Sequence, residues 1–145
     1  MKGRDIQVYV MDLSKYEANF LFAKDIDQEL GEMYPIDKTN IFCMLTTKIM
    51  KLNLIERSLI NMNFLYIEGN EYVEVPNVTA LYFSDSIVFT DKYFGFVGTQ
   101  GGKLYVCNED KENQDKEEKT GCEFIKTFNI EQVVNIYVNF LLIKG

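Results

Sequence analysis

At 145 residues, with 47% hydrophobic and 14% aromatic side chains, the chain can bury one core without staples, and it is no disordered polymer. Its 22 acidic residues outweigh 15 basic ones for a net charge of −7, and only Arg4 and Arg57 are arginines, which argues against direct nucleic-acid binding and against adhesion to an anionic membrane. No histidine or tryptophan occurs, which removes the usual general base near neutral pH, the commonest metal ligand and the aromatic platform of sugar clefts.

"RDIQVYVMD" alternates Ile6, Val8 and Val10 with Gln7 and Tyr9, the period of a short half-buried strand. Next, "SKYEANFLFAKDIDQELGEM" sets Tyr16, Phe20, Ala23, Ile26 and Leu30 at helical spacing, with Ser14 as a cap and Gly31 as a stop. Its centre, "NFLFA", reads as a strand too, and we expect the helix. Pro35 breaks the chain, because a proline pushes the residue before it out of the helical region. "NIFCMLTTKIMKLNLIERSLI" then places Ile41, Leu45, Ile49, Leu52, Ile55 and Leu59 three and four apart. A second helix is expected there, capped by Asp37 or Thr39.

From Asn63 the apolar period switches to two. "NFLYIEG", "EYVEV", "TALYF", "SIVFT", "YFGFVG", "KLYVCN" and "CEFIKTF" read as strands, and their short connections make neighbours antiparallel. With Ser84, Asp85 and Ser86 as a loop, Leu81, Phe83, Ile87 and Phe89 share one face, and Tyr82 and Val88 take the other. "NIEQVVNIYVNFLLIKG" is expected to close the fold as a helix, with Asn129 and Gln132 as a capping box and Ile130, Val133, Val134, Tyr137, Phe140 and Leu141 as its apolar stripe. The fold expected is therefore α+β: an antiparallel meander of about six to eight strands, an N-terminal helical region and a C-terminal helix on the sheet, in a single domain over 1–145.

The run "NEDKENQDKEEKT" has a cysteine just outside each end. Only a strand and a helix are expected after it, too little for a separate domain, so the run is expected to be a mobile acidic loop over 108–121 that adds little to stability. Cys107 and Cys122 face each other at its base, within reach of a disulfide. The N-terminus has no apolar leader, so the chain is expected in the reducing cytoplasm with all three thiols free, Cys43 included.

No catalytic, cofactor or metal residues are assigned. "GTQGG" lacks the Gly-Lys-Ser/Thr ending of a phosphate loop and runs into a strand. A cysteine nucleophile has no histidine beside it. Asp25, Asp27, Glu29 and Glu32, like Glu71 and Glu74, lack the spacing of an oxygen-ligand metal loop. The recurrent tyrosines of the meander bury area at low entropy cost and suit a protein partner, while too few basic residues interleave for base stacking.

The function expected is a small acidic protein-binding module of the inhibitor, immunity or anti-defence kind, acting on a basic nuclease, toxin or effector. Residues in AT-rich codons (Lys over Arg, many Asn, Ile, Phe and Tyr) suggest a low-GC bacterium, its phage or an AT-rich virus as the source. Glu109, Asp110, Glu112, Glu117, Tyr82, Tyr93 and Tyr105 are the expected partner-binding residues, and a homodimer is compatible with any of these roles because a meander leaves free edges. Two other classes stand beside it: a small-molecule or nucleotide-sequestering protein with an aromatic pocket, and an enzyme working with carboxylates alone.

Overall fold

The computed structural model describes residues 4–85, 90–110 and 117–136, with backbone only at 117–119. Most of these residues lie in strands and none lies in a helix. In chain order they are β1 Arg4–Asp12, β2 Glu17–Ile26, β3 Leu30–Pro35, β4 Asn40–Leu45, β5 Ile49–Asn53, β6 Ser58–Glu68, β7 Glu71–Glu74, β8 Val78–Asp85, β9 Lys92–Thr99, β10 Lys103–Asp110 and β11 Glu117–Thr127. The protein is all-β, which overturns the α+β expectation. The chain divides into two compact units, Met1–Asn61 and Met62–Gly145.

In the first unit β1 and β2 form a two-stranded hairpin, and β3, β4, β5 and the start of β6 follow one another in a sheet. Ile6, Phe22 and Ile26 from the hairpin pack with Cys43, Leu45 and Leu52 from β4 and β5. Each such apolar side chain stabilises by about 1.5–3 kcal/mol when fully buried. Burial also pushes the Cys43 thiol up to about 11, so it stays protonated and inert at neutral pH.

Both expected helices of this unit are strands, and the turns explain why. Asp12 pairs with Glu17 across a four-residue loop, and the Asp12 carboxylate accepts hydrogen bonds from Ser14 N at 3.0 Å and Ser14 Oγ at 2.6 Å. The loop between β5 and β6, residues 54–57, is built alike: Asn53 Oδ1 accepts from Ile55 N at 3.0 Å and Glu56 N at 2.8 Å. Tyr16 and Arg57 close these loops in the left-handed region, at φ 53° and 55°. The helical spacing of Leu45 and Ile49, and of Leu52, Ile55 and Leu59, arises because each group spans a reversal. Asp37 does cap, but it caps a turn: its carboxylate accepts from Thr39 N and Asn40 N, both at 2.8 Å, and starts β4.

In the second unit β11 lies between β6 and β10, and β9 and β8 follow, while β7 pairs with β6. Strands β8 through β11 form the expected meander, but the last strand beside β6 is a connection that short loops do not announce. A flat row would separate β6 from β8 by about 19 Å at 4.8 Å per strand. Instead the Phe64 and Phe83 rings stack with centroids 5.9 Å apart, so this row curls until its ends meet. The inner face carries Leu81, Phe83, Tyr93, Val97, Tyr105 and Cys107, all buried.

Leu81 and Phe83 share a face as expected, yet the loop does not lie at residues 84–86. Asp85 pairs with Tyr93 and Phe83 with Gly95, so β8 runs on and its partner begins at Lys92. Ile87, Val88 and Phe89 lie outside the described residues. Gly95 is there because a Cβ would come within 2.4 Å of the Phe83 ring. The C-terminal capping box does not form either. Residues 129–136 contain no helix, Gly101 N donates to Glu131 O at 2.6 Å, and Thr79 Oγ1 donates to Val133 O at 2.6 Å. Val133 is buried there against Gly98, while Val134 is 61% exposed; Tyr137, Phe140 and Leu141 lie outside the described residues.

Candidate functional site

The β1–β2 hairpin presents two different halves. Near its base, Ile6, Phe22 and Ile26 reach the core. Beyond Val8 the same ladder continues with Tyr9, Val10 and Met11 at least half exposed among the described residues. Tyr9 stands opposite Phe20 and Met11 opposite Ala18, and the Tyr9 and Phe20 rings meet edge to face at 5.7 Å. Tyr9 Oη donates to Gln7 Oε1 at 2.8 Å, which fixes the ring along the strand. Leu13 and Tyr16 in the loop are 76% and 89% exposed, and Phe20 is 60% exposed. Apolar and aromatic groups are thus gathered on solvent-exposed positions of one hairpin.

Electrostatics at this element are local. Hydrogen bonds from the Ser14 hydroxyl and then the Ser14 amide hold the Asp12 carboxyl below the usual aspartate range, so it stays charged into acid. Asp27, beside the base of the hairpin in sequence, is lowered first by its hydrogen bond from Lys48, whose Nζ lies 2.7 Å away. Glu32 accepts from the Tyr34 hydroxyl, and burial with that bond raises the Tyr34 phenol. Asp27 and Glu32 are thus engaged separately, and among the described residues no group of three or more His, Cys, Asp or Glu is placed to hold a metal ion.

The residues singled out from the sequence are scattered by the pleat. Tyr93 and Tyr105 are 1% and 2% exposed on the inner face of the second unit, where Tyr105 packs between Tyr66 and Phe124. Neither offers a ring to a partner. Tyr82 has the opposite parity and lies half-buried across from Phe96. Glu109 shares the inner face, opposite Tyr93 and buried, whereas Asp110 turns outward and pairs with Lys92 at 3.8 Å. Both ends of the acidic run are strand: β10 extends to Asp110 and β11 starts at Glu117. Glu112, the rest of the connection at 111–116 and the Glu117 side chain lie outside the described residues.

Cys107 and Cys122 are directly opposed in the β10–β11 ladder and are joined in a disulfide, with Cα atoms 4.1 Å apart. This overturns the expectation of free thiols. Antiparallel register makes the bond accessible, since residues at a non-hydrogen-bonded position sit closest together. Among the described residues no helix is long and apolar enough to cross a membrane.

Comparisons of the chain with protein-family models, with curated proteins and with solved structures find no match. The exposed hairpin is therefore argued from its own chemistry. Sequence reasoning missed it by reading Tyr16 and Phe20 as a helical stripe. The available signal was the strict alternation of "RDIQVYVMD" continuing, after an Asp-initiated turn, into "EANFLF".

Proposed function

We propose that this chain is a protein-binding module whose contact element is the outer face and tip of the β1–β2 hairpin. The observation that supports this reading is the exposed cluster of Tyr9, Met11, Leu13, Tyr16 and Phe20. Aromatic rings with few torsions bind at low entropic cost, and a hairpin rigidified by its own ladder presents them preorganised. The net charge of −7 favours a basic partner, and the acids around Asp110, Glu112 and Glu117 would steer its approach. An inhibitor or immunity protein acting on a basic, nucleic-acid-associated protein is the role that combines these features. A cytoplasmic setting belongs to the same proposal. There the Cys107–Cys122 bond persists through burial, with side chains 0% and 6% exposed.

The test is affinity capture with the native chain and with a Leu13→Ser/Tyr16→Ser variant, followed by binding kinetics on the purified partner. A basic protein lost by the variant, with an association rate that falls as salt rises, supports the proposal. A partner held equally well by the variant refutes the hairpin as the contact element.

A further inference from the structure

We infer that β1 is a self-association edge: a second copy of this chain pairs its own β1 antiparallel to it, joining two hairpins into one four-stranded sheet. The inference rests on the proposal that the hairpin is the contact element, and it names one occupant of it. Among the described residues β1 pairs with β2 alone, so the backbone groups on its other side face no strand.

Exposed edges are ordinarily blunted by bulges, lysines, prolines or short length. Here β2 carries the extra residue Leu21 and Lys24; β3 carries a bulge before Met33 and ends at Pro35; β8 carries the extra residue Thr79; β7 is four residues long. Among the described edge strands only β1 lacks all of these, and its charged residues, Arg4, Asp5 and Asp12, lie at its two ends. Its nine residues contain no Lys, Pro or Gly, and the hairpin's bulge falls in its partner strand.

The register is set by symmetry. A two-fold axis normal to the sheet keeps each face on its own side, so a strand can meet its copy only with a residue opposite itself. Full-length pairing of β1 centres on Val8. It places Ile6 against Val10 of the second copy, Gln7 against Tyr9, and Arg4 against Asp12 at both ends. Val8 meets Val8 and Ile6 meets Val10 on one face, Gln7 meets Tyr9 and Asp5 meets Met11 on the other, and each end closes on opposite charges. The antiparallel arrangement also lays each exposed distal half beside the core-packed proximal half of the other copy. The equivalent pairing of β2 centres on Leu21, the bulge itself, and sets Glu17 against Asp25, like against like. An interface one strand long is below the standard size, so the dimer is a concentration-dependent one.

The experiment uses the full chain. Sedimentation equilibrium of the native protein should show a monomer–dimer equilibrium. Arg4→Asp alone and Asp12→Lys alone each set like charges against one another and should raise the dissociation constant about tenfold. An equimolar mixture of the two variants restores both opposite-charge pairs and should return to within about twofold of the native value. Because Asp12 also holds its turn, a second arm does not touch it. Val8→Cys should crosslink to its own copy under mild oxidation, Gln7→Cys should not, and Gln7→Cys mixed with Tyr9→Cys should, because directly opposed residues lie within disulfide reach. A chain monomeric at about 1 mM, or Val8→Cys crosslinking no faster than Phe20→Cys, overturns the inference. If dimerisation fails while capture of a foreign partner still depends on Leu13 and Tyr16, the edge assignment falls and the contact surface stands. If the dimer forms and capture ignores those residues, the edge stands and the tip reading falls.

Discussion

Two long hairpins in this protein are built alike and used differently. β1–β2 and β10–β11 each carry one extra residue in the second strand, Leu21 in one and Ile125 in the other. Both alternate apolar and polar residues. In β10–β11, however, β9 flanks one side and β6 the other, and Tyr105, Cys107 and Cys122 disappear into the interior. In β1–β2 only the basal half meets a packed layer, and Tyr9, Met11, Leu13, Tyr16 and Phe20 stay in solvent. The lesson is that alternation fixes which residues share a face, and neighbouring strands decide whether that face is core or surface.

The sharpest way to break this comparison is to remove one tyrosine from each hairpin. Tyr105→Ala should cost about 3–5 kcal/mol in urea denaturation, since it empties a buried ring site between Tyr66 and Phe124. Tyr16→Ala should change stability by no more than about 0.5 kcal/mol. Equal losses would show that the first hairpin's tip is packed after all.

Next in size is the covalent clasp, which only the second hairpin has. Replacing Cys107 and Cys122 together by Ala should cost about 3 kcal/mol, the chain-entropy value for the 15-residue separation between them. Thiol titration of the denatured, unreduced chain should find one reactive cysteine, and three after reduction. Three before reduction would remove the clasp from the comparison. Gly95→Ala then probes how tightly the strand beside β10 is packed: with the Phe83 ring in its path, a methyl should cost about 1–3 kcal/mol by thermal or urea unfolding. A neutral result would mean that the Phe83 ring can move aside.

The smallest effects are protonic. Cys43 has a folded pKa above its unfolded one, so its neutral form is favoured by folding. That contribution is complete below the unfolded value near 9.0 and is lost as pH rises towards about 11. Native protein should accordingly resist alkylation at this thiol at pH 8, and denatured protein should not. Asp12 has the opposite sign: its folded pKa is depressed, so its contribution is present above the ordinary carboxylate value and fades as pH falls through the folded one. The expected signature is fraying of the β1–β2 turn in acid, read at the Ser14 amide by NMR. A Ser14 amide that does not change through that range would remove Asp12 as the turn's anchor.

Much of the second unit was legible because its strands are separated by Gly, Pro and Asn signals such as "EGN" and "VPN". In the first unit only β1 was, because the reversals after it use Asp12 and Asn53 side chains and left-handed Tyr16 and Arg57, with no glycine to mark them. The opposition of Cys107 and Cys122 could be read from spacing, but whether they are oxidised could not. Tyr93, Tyr105 and Glu109 are buried for a reason of parity. Once Asp85 pairs with Tyr93, and Tyr93 with Glu109, all three lie on the inner side and Tyr82 on the other. A misplaced loop of a few residues was enough to lose that.

The position of β11 carries a consequence for how the protein is made. The slot between β6 and β10 can be filled only after the ribosome has added the roughly fifty residues that separate Glu68 from Glu117, about 3–10 s at ordinary elongation rates. Through that interval the nascent chain carries β6 with one flank open, while β8, β9 and β10 can already zip together as they emerge. The first unit has its own core by then. Vectorial synthesis therefore makes this joint a late one in the second unit, and β6 is the place where a stalled or truncated chain would be most prone to take a strand from the wrong molecule.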